Sequence, residues 1–245
     1  MKRAFCPAGV PLDRLSVGIL AGLVAGTGCG LVDSDVTDID VSLPERELTV
    51  DTADWQLSGS ERLQEVDCSE DESVCQAGLG ELCGSEDVCS GVCGSGHSCE
   101  VAVRVALWHT FDLGAERPEL QQIEGQPLVD VRIERVYYTV GENSLDVDSP
   151  PLTVFVAPEG VMSPDAADAQ LVGTIPAVPA GTAIEEADVE LTDEGKDRLA
   201  TRMKDYDTPF NLIVGSELRL EAGDNLPHGR MVTVIKATAV ASTGL

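Results

Sequence analysis

Val101-Ala102-Val103-Arg104-Val105-Ala106-Leu107-Trp108-His109-Thr110-Phe111 alternates with a period of two. Val101, Val103, Val105, Leu107, His109 and Phe111 share one face; Arg104, Ala106 and Trp108 share the other. Successive side chains of a strand point to opposite sides of its sheet. Strict alternation of this kind marks a strand with one face in a core and the other turned outward.

The same period recurs on both sides of this stretch. Ile39, Val41 and Leu43 alternate, Pro44-Glu45-Arg46-Glu47 is expected to turn the chain, and Leu48 and Val50 begin a second strand. Val129, Val131 and Ile133 lie in one phase and Val136, Tyr138 and Val140 in the other, which predicts a β-bulge at Glu134-Arg135. Further strands are expected at Leu152-Val154-Val156, Ala187-Val189-Leu191, Phe210-Leu212-Val214, Leu218-Leu220-Ala222 and 231–240. About nine or ten strands separated by turn residues point to a mainly β fold, an Ig-like β-sandwich. One short helix is expected after Thr192. That threonine can cap it, Asp193 and Glu194 suit its positive end, and Leu199, Ala200, Met203 and Tyr206 make an apolar stripe before Pro209. It reads as a lid on a sheet edge. The proline-rich run 174–181 reads as an extended connection.

Six of the eight cysteines crowd into one segment: Cys68, Cys75, Cys83, Cys89, Cys93 and Cys99. This insert, 60–100, has few apolar residues, so it needs covalent staples to offset its chain entropy. Disulfides are expected, with the pairing open. A zinc site is the rival, but no C-x-x-C spacing occurs, and His97 sits in a glycine-rich loop. The insert forms either a rigid knob presenting a recognition surface or a cap over one end of the sandwich.

The chain carries a net charge of −27. Nucleic-acid affinity rests on lysine and arginine neutralising phosphates, so this composition excludes a nucleic-acid partner. The acids are scattered among apolar residues, as on the solvated surface of a soluble monomer.

The N-terminus carries a different signal. Lys2, Arg3 and Arg14 precede the apolar run Leu15–Ala25, which ends in Gly26-Thr27-Gly28-Cys29. The run is too short for a membrane span of ~20 apolar residues and has the parts of a secretory leader. Gly28-Cys29 resembles a bacterial lipobox, although Gly26 stands where the family usually has leucine. The chain thus resembles the exported lipoproteins of diderm bacteria. The resemblance implies a signal peptide over 1–28, cut before Cys29, and lipid on that cysteine. It further implies an acidic tether over 29–37 and an envelope location, at the outer membrane since Gly30, not Asp, follows the cysteine. Cys6 lies in the leader and the cluster accounts for six more, so Cys29 is the odd cysteine that needs a separate role. Loss of the leader leaves 29–245, two units more negative than the whole.

No catalytic motif stands out. His97, His109 and His228 lie in unrelated contexts, and no nucleophile elbow, zinc-protease helix or phosphate loop is present. The reading is a non-enzymatic, lipid-anchored envelope protein over 38–245, structural or binding, with a protein or surface polymer as partner and no cofactor. The alternative is a calcium-dependent binding lipoprotein using acidic loops 142–148 (Glu142, Asp146, Asp148) and 165–168 (Asp165, Asp168); a third is a cryptic hydrolase. Trp108 is either buried under a helix or the insert, or exposed as a contact site.

Overall fold

The computed structural model describes residues 36–55, 57, 62–71, 73–79, 82, 88–123 and 127–244. The leader, Cys29 and Cys83 lie outside them. The early strands are β1 (Val36–Ser42), β2 (Arg46–Asp51), β3 (Cys89–Cys93), β4 (Cys99–Phe111) and β5 (Leu128–Asn143). They are followed by β6 (Leu152–Pro158), β7 (Gln170–Ile175), β8 (Ile184–Asp188), β9 (Glu190–Leu191), β10 (Phe210–Leu220) and β11 (Arg230–Gly244). The helices are α1 (Ser73–Leu79), α2 (Leu113–Glu116), α3 (Pro118–Gln121) and α4 (Asp193–Lys204).

The strands form two antiparallel sheets. One has the order β1-β11-β5-β8, with β2 also on β11; the other runs β3-β4-β10-β6-β7-β9. Their inner faces make one apolar core, in which Val101, Val103, Val154 and Val214 face the same interior as Val131, Tyr138, Val140 and Met231. This is the β-sandwich expected from the alternation, and its connectivity explains the Ig-like character. In chain order, β3, β4, β6 and β10 occupy the places of strands A, B, D and E, and β5 pairs β11 as C pairs F. The edge position beside F, held by the last strand of an immunoglobulin domain, is filled here by β1 and β2.

Pro44 does not reverse the chain, contrary to expectation. β1 pairs Thr238–Gly244 and β2 pairs Arg230–Ile235, both antiparallel to β11, so the two run in the same direction, end to end. Proline offers no N–H to a ladder. The strand therefore breaks there and resumes two residues later. The expected bulge is present: Thr238 pairs Arg135 and Ala239 pairs Ile133, so Glu134 is the extra residue. That single insertion lets Ile133 and Val136, three apart, both face the core.

Other boundaries moved. Residues 210–214 and 218–222, read as two strands, belong largely to the single strand β10, because no turn intervenes at Gly215-Ser216. The strand expected at 187–191 divides at Val189. β8 pairs β5 in one sheet and β9 pairs β7 in the other, so the chain changes sheets there. Val189, buried, donates its N–H to Val136 O (2.9 Å) at the crossing. Strand β7 takes in Thr174 and Ile175, the first two residues of the run read as a connection. The tether expected over 29–37 gives way to β1 at Val36. α4 forms as expected: Thr192 Oγ1 accepts from Gly195 N (2.9 Å), and Leu199 and Met203 are buried. It packs against β5 of one sheet and β7 of the other, closing that side of the sandwich.

The cysteine-rich segment is part of the sheet rather than a knob projecting from it. β3 pairs the first half of β4. Cys68–Cys93 and Cys75–Cys99 are disulfides, and Cys89 is also disulfide-bonded. Cys75 and Cys99 are fully buried. Gly91 of β3 lies against the Cys75 carbonyl, where a Cβ would collide with backbone, so α1 sits directly on the strand.

Candidate functional site

One side of the sandwich is closed by α4; on the opposite side, among the described residues, no strand pairing joins the two sheets. There the edges of β2 and β4 face each other. The period-two pattern of β4 decides what each residue presents. Arg104 N donates to Val88 O (2.7 Å), so the even-numbered residues of β4 turn their backbone groups toward the β3 side. β3, however, pairs only as far as Val103. Beyond it, Ala106 and Trp108 turn N–H and C=O toward a side where, among the described residues, no strand pairs with them. Val105 and Leu107, on the core face, are only partly buried. Trp108 is exposed (43%), so the outward face of β4 is not covered at this point.

A cleft of about 430 Å³ lies along this edge. Three segments build its walls. From β2, Thr49, Val50 and Asp51 lead into a 3-10 turn (Thr52–Trp55) in which Asp51 Oδ1 accepts from Ala53 N (2.9 Å); Trp55 is buried beneath. From β10 come Gly215 and Glu217. The third wall is the loop after β6, folded back over the outer face of the sheet. Buried Asn211 holds that loop: its Nδ2 donates to Glu159 O (2.7 Å) and Val161 O (2.8 Å), and its Oδ1 accepts from Thr110 Oγ1 (2.6 Å). Pro164 then rests on Gly215, in space that a side chain would need.

The cleft is acidic. Among the described residues, Asp51, Asp54, Asp165 and Glu217 line it with the cation Arg104. Arg104 Nε lies 3.9 Å from Glu217, and Arg219 shares the same carboxylate at 2.8 Å. The four acids come from three separate stretches of chain, so no local pattern in the sequence marks them.

The acidic loop 142–148 is engaged elsewhere. Glu142 forms a paired contact with Arg230 (2.9 and 2.6 Å), Asp146 Oδ1 accepts from His228 N (2.7 Å), and Asp148 Oδ1 accepts from Ala180 N (2.8 Å). The Arg230 guanidinium, by its hydrogen bonds to the carboxylate, holds the Glu142 carboxyl below the usual glutamate range. Asp165 and Asp168 are exposed on the loop after β6. Among the described residues, the single group of three ligand-bearing side chains close enough to share an ion is Cys68, Cys75 and Cys93. All three are in disulfides and so have no thiolate to offer. The three histidines lie apart. His109 Nε2 lies 2.8 Å from Glu47 O, His97 is in the left-handed turn before Ser98 (φ 59°), and His228 flanks Asp146.

No family model matches the chain, and no curated protein matches it. Among solved structures it is similar to one from Desmodium yellow mottle tymovirus, at 11% identity and a TM-score of 0.27, over 100% of this chain and 97% of that one. A likeness at that score bears on neither fold nor activity.

Proposed function

We propose that the chain is a lipid-anchored protein of the bacterial envelope, tethered through Cys29 at the outer membrane, and that its sandwich is a non-enzymatic binding module. One observation supports this reading above the others: Cys75–Cys99 joins two fully buried cysteines, tying α1 to the start of β4 in the sheet that carries the cleft. Such a bond forms and persists in an oxidising compartment outside the cytosol. Export agrees with the leader at 1–28, and the lipobox-like Gly28-Cys29 supplies the anchor. Two or more acyl chains hold a protein stably on a membrane, at about 0.8 kcal/mol per buried CH₂. The surface offered to a partner is the acidic cleft along β4.

Mass spectrometry of the mature N-terminus tests the anchor. The expected species begins at an acylated Cys29; an unmodified terminus at any other residue refutes it. Cys29→Ser is expected to release the protein from the membrane fraction with its sandwich intact.

A further inference from the structure

Another cavity lies where β1 gives way to β2. β1 ends at Ser42 and β2 begins at Arg46. Between them Pro44, which has no N–H, leaves the ladder, and Leu43 N holds the chain across the break by donating to Ala237 O (2.9 Å). A cavity of about 340 Å³ opens there, and it shares no lining residue with the acidic cleft. We propose that this cavity binds a small oxyanion, the carboxylate or phosphate group of a soluble ligand, through Arg117 and Lys236. The site goes beyond the reading of the acidic cleft as a partner surface.

Three observations converge. The first is an arginine without an acceptor. Arg117, at the junction of α2 and α3, lines the cavity and is half-buried. Its Nε is enclosed by protein and has no hydrogen-bond partner. The chain has 43 acids for 16 lysines and arginines, yet among the described residues none of those acids pairs with this guanidinium. The adjacent Glu116 is committed to Arg46. A buried donor left unsatisfied is costly, and more so when it is charged. An oxyanion supplies the missing acceptor, and arginine's planar fork matches two oxygens of a carboxylate or phosphate. The second is another cation. Lys236 of β11 sits opposite Tyr137 of β5, and both line the cavity. Lys236 Nζ meets Glu45 Oε1 at 2.6 Å, but that glutamate side chain is 69% exposed. An ion pair so open to water holds weakly, so an incoming oxyanion can take its place on the ammonium. The third is the wall and the room. The Arg135 guanidinium lies over the Tyr137 ring (4.6 Å) and backs that side of the cavity, and the volume falls within the ~300–1,000 Å³ of small-ligand sites.

The experiment uses the disulfide-intact protein, with inorganic phosphate and succinate as probes at an ionic strength fixed with sodium chloride. The Arg117 Nε–Hε resonance is followed by heteronuclear NMR. It is expected to shift saturably with at least one probe, and the probe that saturates at the lower concentration identifies the group as phosphate or carboxylate. Arg117→Lys keeps the charge but loses the fork, and is expected to weaken binding about tenfold. Should that variant not fold, Lys236→Gln removes the other cation from an outward position of β11 and is expected to weaken binding while the Arg117 resonance still responds. The absence of a saturable shift with either probe overturns the proposal, as does either variant binding as tightly as the wild type. A response to sodium chloride alone as large as that to the probes overturns it too, since screening would then account for the shift. None of these outcomes touches the acylation of Cys29, which the N-terminal mass reports separately.

Discussion

Single residues carry much of the precision of this fold. Asn211 is fully buried, yet its amide has three partners, and through them it lays the loop after β6 over the outer sheet face. Asn211→Leu would leave the Glu159 and Val161 carbonyls without their donor. A loss of about 1–3 kcal/mol is expected in urea unfolding, together with perturbation of the cleft wall at Pro164. Gly195 lies against the Val172 carbonyl at the start of α4, so Gly195→Ala must push the helix off β7 and is expected to lower the melting temperature although alanine favours helix. Glu142 contributes a pH dependence of known sign. Its carboxyl is held below its unfolded value by Arg230, so its stabilisation is present above that unfolded value and is lost as pH falls through the depressed one. The difference in melting temperature between the wild type and Glu142→Gln should therefore narrow as pH drops from neutral through the carboxylate range. A difference that stays constant would contradict the pairing.

At the scale of elements, the alternation of 101–111, the phase flip at Glu134 and the Thr192 cap were all legible, because each is a local constraint that its own residues impose. Thr192→Ala is expected to reduce stability by about 1 kcal/mol through loss of the cap. Local pattern could not show that 187–191 serves two sheets, since the division depends on β5 and β7 being brought to either side of Val189. Nor could it show that Pro44 interrupts a strand instead of reversing it; that follows from β11 running past both halves. The cysteine segment read as a stapled loop because its composition lacks a core. Its strand β3 emerges only when β4 is there to pair with it. Removing the buried bridge with Cys75→Ala and Cys99→Ala is expected to lower stability by about 3 kcal/mol. Hydrogen exchange should show β3 losing protection before β10.

For the whole molecule, two sheets of five and six strands enclose one core, closed along one side by α4. The carboxylates of 142–148 already accept from Arg230, His228 and Ala180. Addition of calcium or EDTA is expected to leave the melting temperature unchanged; a rise with millimolar calcium would instead reveal a site, since any ligand of the native state raises its stability by mass action. The sequence by itself determined the fold class, the bulge, the capped helix and the need for disulfides, and its first residues supply the whole case for a lipid anchor. Periodicity, capping and composition act within a few residues of chain, where the side chains themselves dictate the outcome. Only the tertiary structure decided which cysteines meet, which strands share a sheet, that Trp108 stands exposed, and that acids from three distant stretches line one cleft. Those are consequences of pairing between remote segments, and no window of sequence contains both partners.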